Sequence, residues 1–326
     1  MKKNEEVLMN PSALPLIILL CTLAGLARPA GTNVSFHAAV SSACAWEQYR
    51  SSGLGSARFD FFPPRVPVGL MISAGPTAII RLYTDATMPT TMPMREFYAE
   101  VRFPAGWAIR AGQIVPPYAR EALTPYEQLW FLDYSLLRDW WDHGAPTDVG
   151  VQAACSTSSW SLTAALVNGN DGRSLVDDNR AKDLCVRAVV NPRGDRLPGA
   201  AARVYLGRTD AGVQFRSIAA ELWFETGPLA LSAQAQNAAK GPYVRTAAAL
   251  AAHYRLTDWL APALSLQTEF QNDDRYDLLA SSMLRFGQRE QPVTAGLGYD
   301  FRLKDSNTPS ARFTKHRVLL QLLIAL

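Results

Sequence analysis

The chain has few cysteines, and their spacing does not suit a metal site. Cys21 lies in an apolar segment near the N-terminus, and Cys44, Cys155 and Cys185 are far apart. Zinc and iron–sulfur sites usually need closely spaced pairs such as Cys-x-x-Cys. We therefore expect isolated thiols on strands and no metal or cofactor. One disulfide among these cysteines is the alternative.

Long hydrophobic runs and blocks of like charge are also missing after residue 27. No later segment has the ~20 apolar residues that a membrane-spanning helix needs, and the longest apolar stretch is VLLQLLIAL at 318–326. The formal net charge of +3 comes without a basic block. A helical membrane protein is therefore not expected beyond residue 27, and nothing suggests nucleic-acid binding.

Histidine is rare as well, which bears on catalysis. A lipid hydrolase in a membrane barrel would need a serine nucleophile and a histidine base held together. The histidines at 37, 143, 253 and 316 are not part of a His-x-Ser or comparable cluster. We predict that the protein is not an enzyme and has no catalytic residues.

The N-terminus resembles a secretory signal peptide. Lys2 and Lys3 precede an apolar run from about Leu14 to Leu26, followed by a small-x-small cleavage pattern at 25–27. We predict a cleaved signal peptide at 1–27, an N-terminal segment at 28–56 that leads into the main domain, and a single β domain at 57–326. We expect this signal to export the protein and, together with the membrane barrel predicted below, to place it in the outer membrane of a Gram-negative bacterium.

Strict alternation of apolar and polar residues dominates the rest of the chain. EFYAEVRF at 96–103 is typical, because a period of two describes a β-strand with two unlike faces. Similar segments recur and total about sixteen strands, most of the ~10-residue length that a tilted membrane strand requires. Long or polar connections are expected near 87–95, 115–147, 169–182, 209–214, 238–243, 272–276 and 303–315, and tight turns lie between them.

Aromatic residues favour one interpretation of these strands. They lie on the apolar face next to the tight turns, which is typical of an interfacial girdle: Phe103, Trp107, Trp160, Phe224, Tyr254 and Phe286, with Trp259 inside a turn. The sequence therefore predicts an all-β fold, a transmembrane antiparallel β-barrel of about sixteen strands. Phe97, Ala99 and Val101 would face lipid, and sixteen strands would leave a water-filled lumen.

One stretch has helical rather than strand periodicity. LTPYEQLWFLDYSLLRDWWDHG at 123–144 begins with a capping box from Thr124 and Glu127 and places Pro125 at the first helical position. We predict that the loop at 115–147 is a helical constriction folded into the lumen; a helix outside the barrel or against a neighbouring subunit is the alternative. Its candidate constriction residues are Arg120, Tyr126, Glu127, Trp130, Tyr134, Arg138 and Trp141.

The alternation also predicts which charges line the pore. The basic candidates are Arg81, Arg102, Arg110, Arg187, Arg203, Arg245, Arg285 and Arg302, and the acidic candidates are Asp85, Glu96, Glu100, Asp148, Glu221, Glu225, Glu269 and Asp300. Rings of one sign select ions of the other sign. A nearly balanced set predicts weak selectivity, or a transverse field if the signs segregate.

Several motifs resemble those of the phosphate-selective porins of the O and P type. AGQIVPPYAREALTPYEQLWFLDYSLL resembles the Gly-Gln segment and aromatic loop of that family, and DVGVQ at 148–152 resembles the strand that follows. VNGNDG at 167–172, DDNRAKDLCVRAVVNP at 177–192 and HRVLLQLLIAL at the end are similar to a family outer loop, strand with turn, and closing strand. The resemblance covers about a third of the chain.

This resemblance implies an outer-membrane diffusion channel, commonly trimeric, without a cofactor. The phosphate specificity of the family depends on basic residues at the constriction, whereas residues 115–147 contain only Arg120 and Arg138 against five acidic residues. Phosphate or anion specificity is therefore not carried over. The expected partners are the outer-membrane bilayer, small hydrophilic solutes or ions, other copies of the chain and the barrel-assembly machinery. A plugged structural or receptor barrel is the alternative.

Overall fold

The computed structural model describes residues 32–51, 54–65, 67–85, 94–118, 120–124, 147–169, 181–192, 197–208, 212–272, 275–287, 293–305 and 313–325. The predicted signal peptide at 1–27 lies outside these residues, as does nearly all of the predicted helix at 123–144.

The described chain is almost entirely β-strand, as the alternation predicts. Its strands are β1 Thr32–Ser51, β2 Leu54–Arg65, β3 Pro67–Ala74, β4 Ala78–Asp85, β5 Met94–Arg102, β6 Trp107–Ile114, β7 Asp148–Ser156, β8 Trp160–Val167, β9 Asp183–Val190, β10 Gly199–Arg208, β11 Gln214–Thr226, β12 Leu229–Lys240, β13 Tyr243–Tyr254, β14 Leu260–Gln271, β15 Arg275–Phe286, β16 Val293–Asp305 and β17 Phe313–Ala325. One short helix, α1, spans Arg120–Leu123, and a single 3₁₀ turn spans Pro104–Gly106.

All pairings between these strands are antiparallel and belong to one sheet. Each strand from β3 to β17 pairs with its neighbours in the chain, and β17 pairs in turn with β1 between Ala39–Ala325 and Arg50–Thr314. The other edge of β1 pairs with β2 and then with β3. The ladder that starts at β1 therefore returns to β1, which is how a membrane sheet satisfies its edge hydrogen-bonding groups.

β2 and β3 share one place in this ring. β2 pairs with β1 between residues 41 and 51, and β3 pairs with β1 between residues 32 and 38. The seventeen strands thus occupy sixteen places, which agrees with the predicted number. The start of the barrel differs from the expectation, because β1 at Thr32–Ser51 lies within the segment assigned as a lead-in. Its run of small residues, FHAAVSSACA, hides the alternation.

The two faces of the sheet differ sharply in chemistry. On strand after strand, the outward face carries aliphatic side chains that are each more than a third exposed, among them Leu206, Ile218, Leu250, Leu264 and Leu320. The opposite face contains most of the charged residues and most of the buried side chains. This is the arrangement expected when lipid lies outside and water inside. Ala99 and Val101 keep the predicted outward register, but both are buried with Ala111.

The connections differ between the two ends of the strands, although less than predicted. One end has short turns, such as 75–77, 157–159 and 227–228, and the other end has the long connections 86–93, 115–147 and 168–182. The connections expected to be long or polar near 238–243 and 272–276 are instead tight. Gly241, at a φ of +58°, permits the two-residue turn between β12 and β13, so both strands extend further than the sequence suggested.

The predicted aromatic girdle is present at the end with short turns. Phe103, Trp107, Trp160, Tyr254, Trp259 and Phe286 are each more than a third exposed beside such turns. In the part of the chain that the structure describes, no helix is long and apolar enough to cross a bilayer.

Candidate functional site: the lumen wall and its constriction segment

The strand registers decide which side chains share the inner face. Glu100 lies opposite Arg110, Arg110 opposite Gln152, and Arg187 opposite Arg203. Directly opposite residues share a face of the sheet, and so do residues two apart on one strand. Followed from strand to strand, this rule places the predicted pore-lining charges on one face, opposite the exposed aliphatic residues. They are Arg81, Arg102, Arg110, Arg187, Arg203, Arg245, Arg285, Arg302, Glu96, Glu100, Asp148, Glu221, Glu225, Glu269 and Asp300. Asp85 has the same register position.

Acidic and basic side chains on this face form ion pairs, mostly across neighbouring strands. Five carboxylates each contact an arginine: Arg81–Glu96 at 2.9 Å, Arg187–Glu221 at 3.2 Å, Arg245–Glu269 at 2.6 Å, Arg302–Asp277 at 2.6 Å and Arg317–Asp300 at 2.5 Å. The carboxylates are buried more deeply than or as deeply as their partners. In four of the five pairs the guanidinium is the more exposed of the two charges, and in Arg317–Asp300 the exposures are equal.

Two carboxylates each hold two bases. Glu47 contacts Arg58 at 2.9 Å and Lys315 at 2.6 Å, although its own side chain is only 1% exposed. Glu100 contacts Arg102 at 2.7 Å and also accepts a short hydrogen bond from Arg110. Each of these groups carries a local excess of one positive charge.

Some of these charges were not foreseen from the sequence. The inner face also includes Glu47, Arg58, Asp183, Asp277, Lys315 and Arg317. Glu47 and Arg58 were missed because β1 was not recognised as a strand, and Lys315 because it was assigned to a loop. If the predicted last strand had begun a few residues earlier, with His316 and Val318 facing outward, its alternation would have placed Lys315 and Arg317 on the inner face.

The chain after β6 folds back against the inner wall. Pro116 is fully buried, and the carbonyl of Pro117 accepts a 3.5 Å hydrogen bond from the Cys185 thiol on β9. The Tyr118 ring lies 6.1 Å from the ring of Tyr205 on β10. Residues 116–118 and 120–124, which we call the constriction segment, therefore lie against the lumen side of the sheet.

Arg120 joins the constriction segment to β11 through three contacts. Its backbone N–H donates to Glu221 Oε2 at 2.8 Å, and its guanidinium donates to Glu225 Oε1 at 2.5 Å. The same guanidinium lies 5.2 Å from the centre of the Trp223 ring. Since Glu221, Trp223 and Glu225 alternate on the inner face of β11, one arginine is held by three successive lumen positions.

Local packing fixes the wall that receives this arginine. Trp223 is 4% exposed and packs with Val189 and Ala201. A Cβ at Gly199 would lie 2.2 Å from the Trp223 indole, so this neighbouring position on β10 must be glycine for the ring to lie against the wall.

The predicted helix begins at the edge of the described residues. The Thr124 hydroxyl donates to the Arg120 carbonyl at 2.8 Å, at the C-terminal end of α1, and the residues that Thr124 was predicted to cap lie outside the described ranges. Glu127, Tyr126, Trp130, Tyr134, Arg138 and Trp141 lie outside the described residues. Over the described ranges, no three His, Cys, Asp or Glu side chains are grouped so that they could hold a metal ion.

An antiparallel ring with an aliphatic exterior, an ionic interior and a loop that enters the lumen defines a channel-forming barrel of the porin class. The sequence profile of the family "Phosphate-selective porin O and P" matches residues 81–281, well over half of the chain. The chain belongs to this family of outer-membrane diffusion channels.

Solved structures share the fold at low sequence identity. The anion-selective porin from Comamonas acidovorans superposes with a TM-score of 0.69 at 10% identity, covering 91% of this chain and 100% of that one. The trimer form of OmpT from Vibrio cholerae gives 0.65 at 11%, covering 91% and 100%, and the channel DcaP of Acinetobacter baumannii gives 0.64 at 14%, covering 91% and 98%. Comparison with curated protein sequences finds no significant match.

Proposed function

We propose that this porin is an open, weakly selective diffusion channel for small hydrophilic solutes and ions. The observation that carries the proposal is the charge pattern of the inner face. Acids on one strand pair with bases on a nearby strand at 2.5–3.2 Å and neutralise their charge. A wall of this kind has no ring of one sign, and such a ring is the usual source of strong ion selectivity.

The position of the constriction segment is the reason why we propose that only small solutes pass. It brings Arg120 to β11 across the lumen side of the sheet, so the solute path narrows beside Glu225 and Arg120, which are 46% and 44% exposed. A base and an acid at the same level favour neither sign of solute.

Reversal potentials and solute flux test this proposal together. In a tenfold KCl gradient an ideally selective pore would reach ~59 mV, and we expect a value near zero. A potential close to that limit, of either sign, would refute weak selectivity. Liposome swelling with neutral sugars and with charged compounds of matched size should show flux that depends on size more than on charge. Absence of all flux would favour the plugged barrel.

The cellular setting is part of the same proposal. Export by a cleaved signal peptide at 1–27, insertion by the barrel-assembly machinery of a Gram-negative bacterium and assembly into a trimer fit an outer-membrane channel. One of the similar solved structures is described as a trimer. Membership of a porin family supports the further proposal that the protein acts as a channel and not as an enzyme.

A further inference from the structure

Basic side chains are unevenly distributed over the outward face of the sheet. Lys182 precedes β9, Arg208 ends β10 and Arg216 lies near the start of β11, and all three are exposed. They lie on adjacent strands at the end with long connections. We call these three residues the basic rim patch.

The registers place the members of the patch close together. Arg208 lies opposite Gln214, so Arg216 is its diagonal neighbour at ~7 Å. Leu206 pairs with Leu184 on one side and with Arg216 on the other. The patch therefore stands at the border of the apolar exterior.

The surface directly below the patch is strongly apolar. Leu206 and Ile218 are 49% and 64% exposed, and Ile218 lies opposite Val204, which is 40% exposed. A cation costs little free energy at the membrane interface but several kcal/mol at the bilayer centre. The change from arginine to aliphatic residues thus matches the change from lipid headgroups to acyl chains.

A general need for charged residues at the rim does not explain the patch. Most outward positions near the same end of other described strands are uncharged, for example Val149 on β7, Asn237 on β12, Thr246 on β13 and Thr314 on β17, and the one at the end of β16, Asp305, is acidic. Arg50 on β1 is an exposed exception on another part of the ring. The positive charge is concentrated on β9–β11, which suggests a ligand at that place.

We propose that the basic rim patch binds the phosphate groups of an acylated, phosphorylated lipid in the outer leaflet of the membrane. Arg208 and Arg216 carry the proposal, because guanidinium groups bind phosphate oxygens through two parallel hydrogen bonds. The acyl chains of the same lipid lie along Leu206 and Ile218. Charge and apolar surface are thereby matched to the two parts of one molecule.

The first test uses the unaltered protein and two lipids. Detergent-purified protein is incubated with mixed micelles of lipid A or of dephosphorylated lipid A, repurified, and assayed for retained fatty acid per chain. We expect about tenfold more lipid A than dephosphorylated lipid. Equal retention of the two lipids would overturn the proposal, because acyl contacts alone would then account for binding.

The second test uses charge reversal with a matched control. Arg216→Glu, and more strongly Arg208→Glu with Arg216→Glu, should lower lipid A retention by about tenfold or more. Arg50→Glu removes the same charge from the outward face elsewhere and should leave retention unchanged. Equal losses in Arg50→Glu and Arg216→Glu would show a nonspecific charge effect and contradict the patch. Unboiled gel migration of each variant verifies folding, and neither test depends on whether the channel conducts.

Discussion

The contact between Arg120 and β11 leads to a prediction about pore size. Arg120→Ala removes the guanidinium but keeps the backbone N–H that donates to Glu221. The lost ion pair with Glu225 is about half exposed on both sides, so it is worth only ~0.2–1 kcal/mol. The cation–π contact with Trp223 adds ~0.5–1 kcal/mol. We expect the segment to lose ~0.7–2 kcal/mol of its attachment to the wall.

That loss translates into a change in the population of released segment. Each 1.4 kcal/mol is a factor of ten, so the released fraction should rise by roughly 3- to 30-fold. In single-channel recordings this predicts more frequent excursions to a higher conductance. Adding Glu221→Gln weakens the remaining charge-assisted hydrogen bond, which is worth ~1.5–3 kcal/mol, and should make the larger conductance dominant.

A control variant separates the loss of the Arg120 contacts from the loss of one positive charge in the lumen. Arg102→Ala also removes an arginine on the inner face that is about half exposed, but its acid, Glu100, keeps Arg110. If both variants show the same conductance and the same fluctuations, the Arg120 contacts do not hold the segment and the reasoning is wrong. The excess effect of Arg120→Ala should also shrink between 0.1 M and 1 M KCl, where the screening length falls from ~10 Å to ~3 Å.

Two further predictions concern the loop and the wall that it contacts. Deleting residues 123–144 should raise single-channel conductance, because the deleted chain would otherwise narrow the lumen; unchanged conductance would refute its role as a constriction. Gly199→Ala should destabilise the barrel, because the new Cβ would meet the Trp223 indole at 2.2 Å, and overpacking of this kind costs ~1–3 kcal/mol. The unboiled gel band should then convert to the unfolded form at a lower temperature, whereas Gly55→Ala, whose nearest neighbour would be 3.8 Å away, should convert like the wild type.

The general architecture could be predicted from the sequence because its cause is local. A strand between lipid and water must alternate, so stretches such as EFYAEVRF reveal both the strand and its faces. The aromatic residues beside the short turns then distinguish a membrane barrel from a soluble sandwich. β1 shows where this reasoning stops, since small alanine and serine residues are compatible with either face.

The ion pairs could not be predicted, because they depend on registers between strands. Glu47 meets Lys315 only because β1 lies beside β17, and no local pattern in the sequence contains that adjacency. The Arg120 contacts are similar, since their partners Glu221 and Glu225 are about a hundred residues away. The helical periodicity of 123–144 indicated a special loop but not its attachment point.

The pairing of β1 with β17 has a consequence for assembly. Until the final strand in chain order is in place, every partial sheet exposes two rows of unpaired peptide groups, which invite wrong partners. Contacts this distant in the chain also form slowly, since a very large loop must close first. The nascent polypeptide must therefore be shielded from aggregation throughout its passage to the membrane, and the two open edges of the sheet must be paired or covered until β17 meets β1.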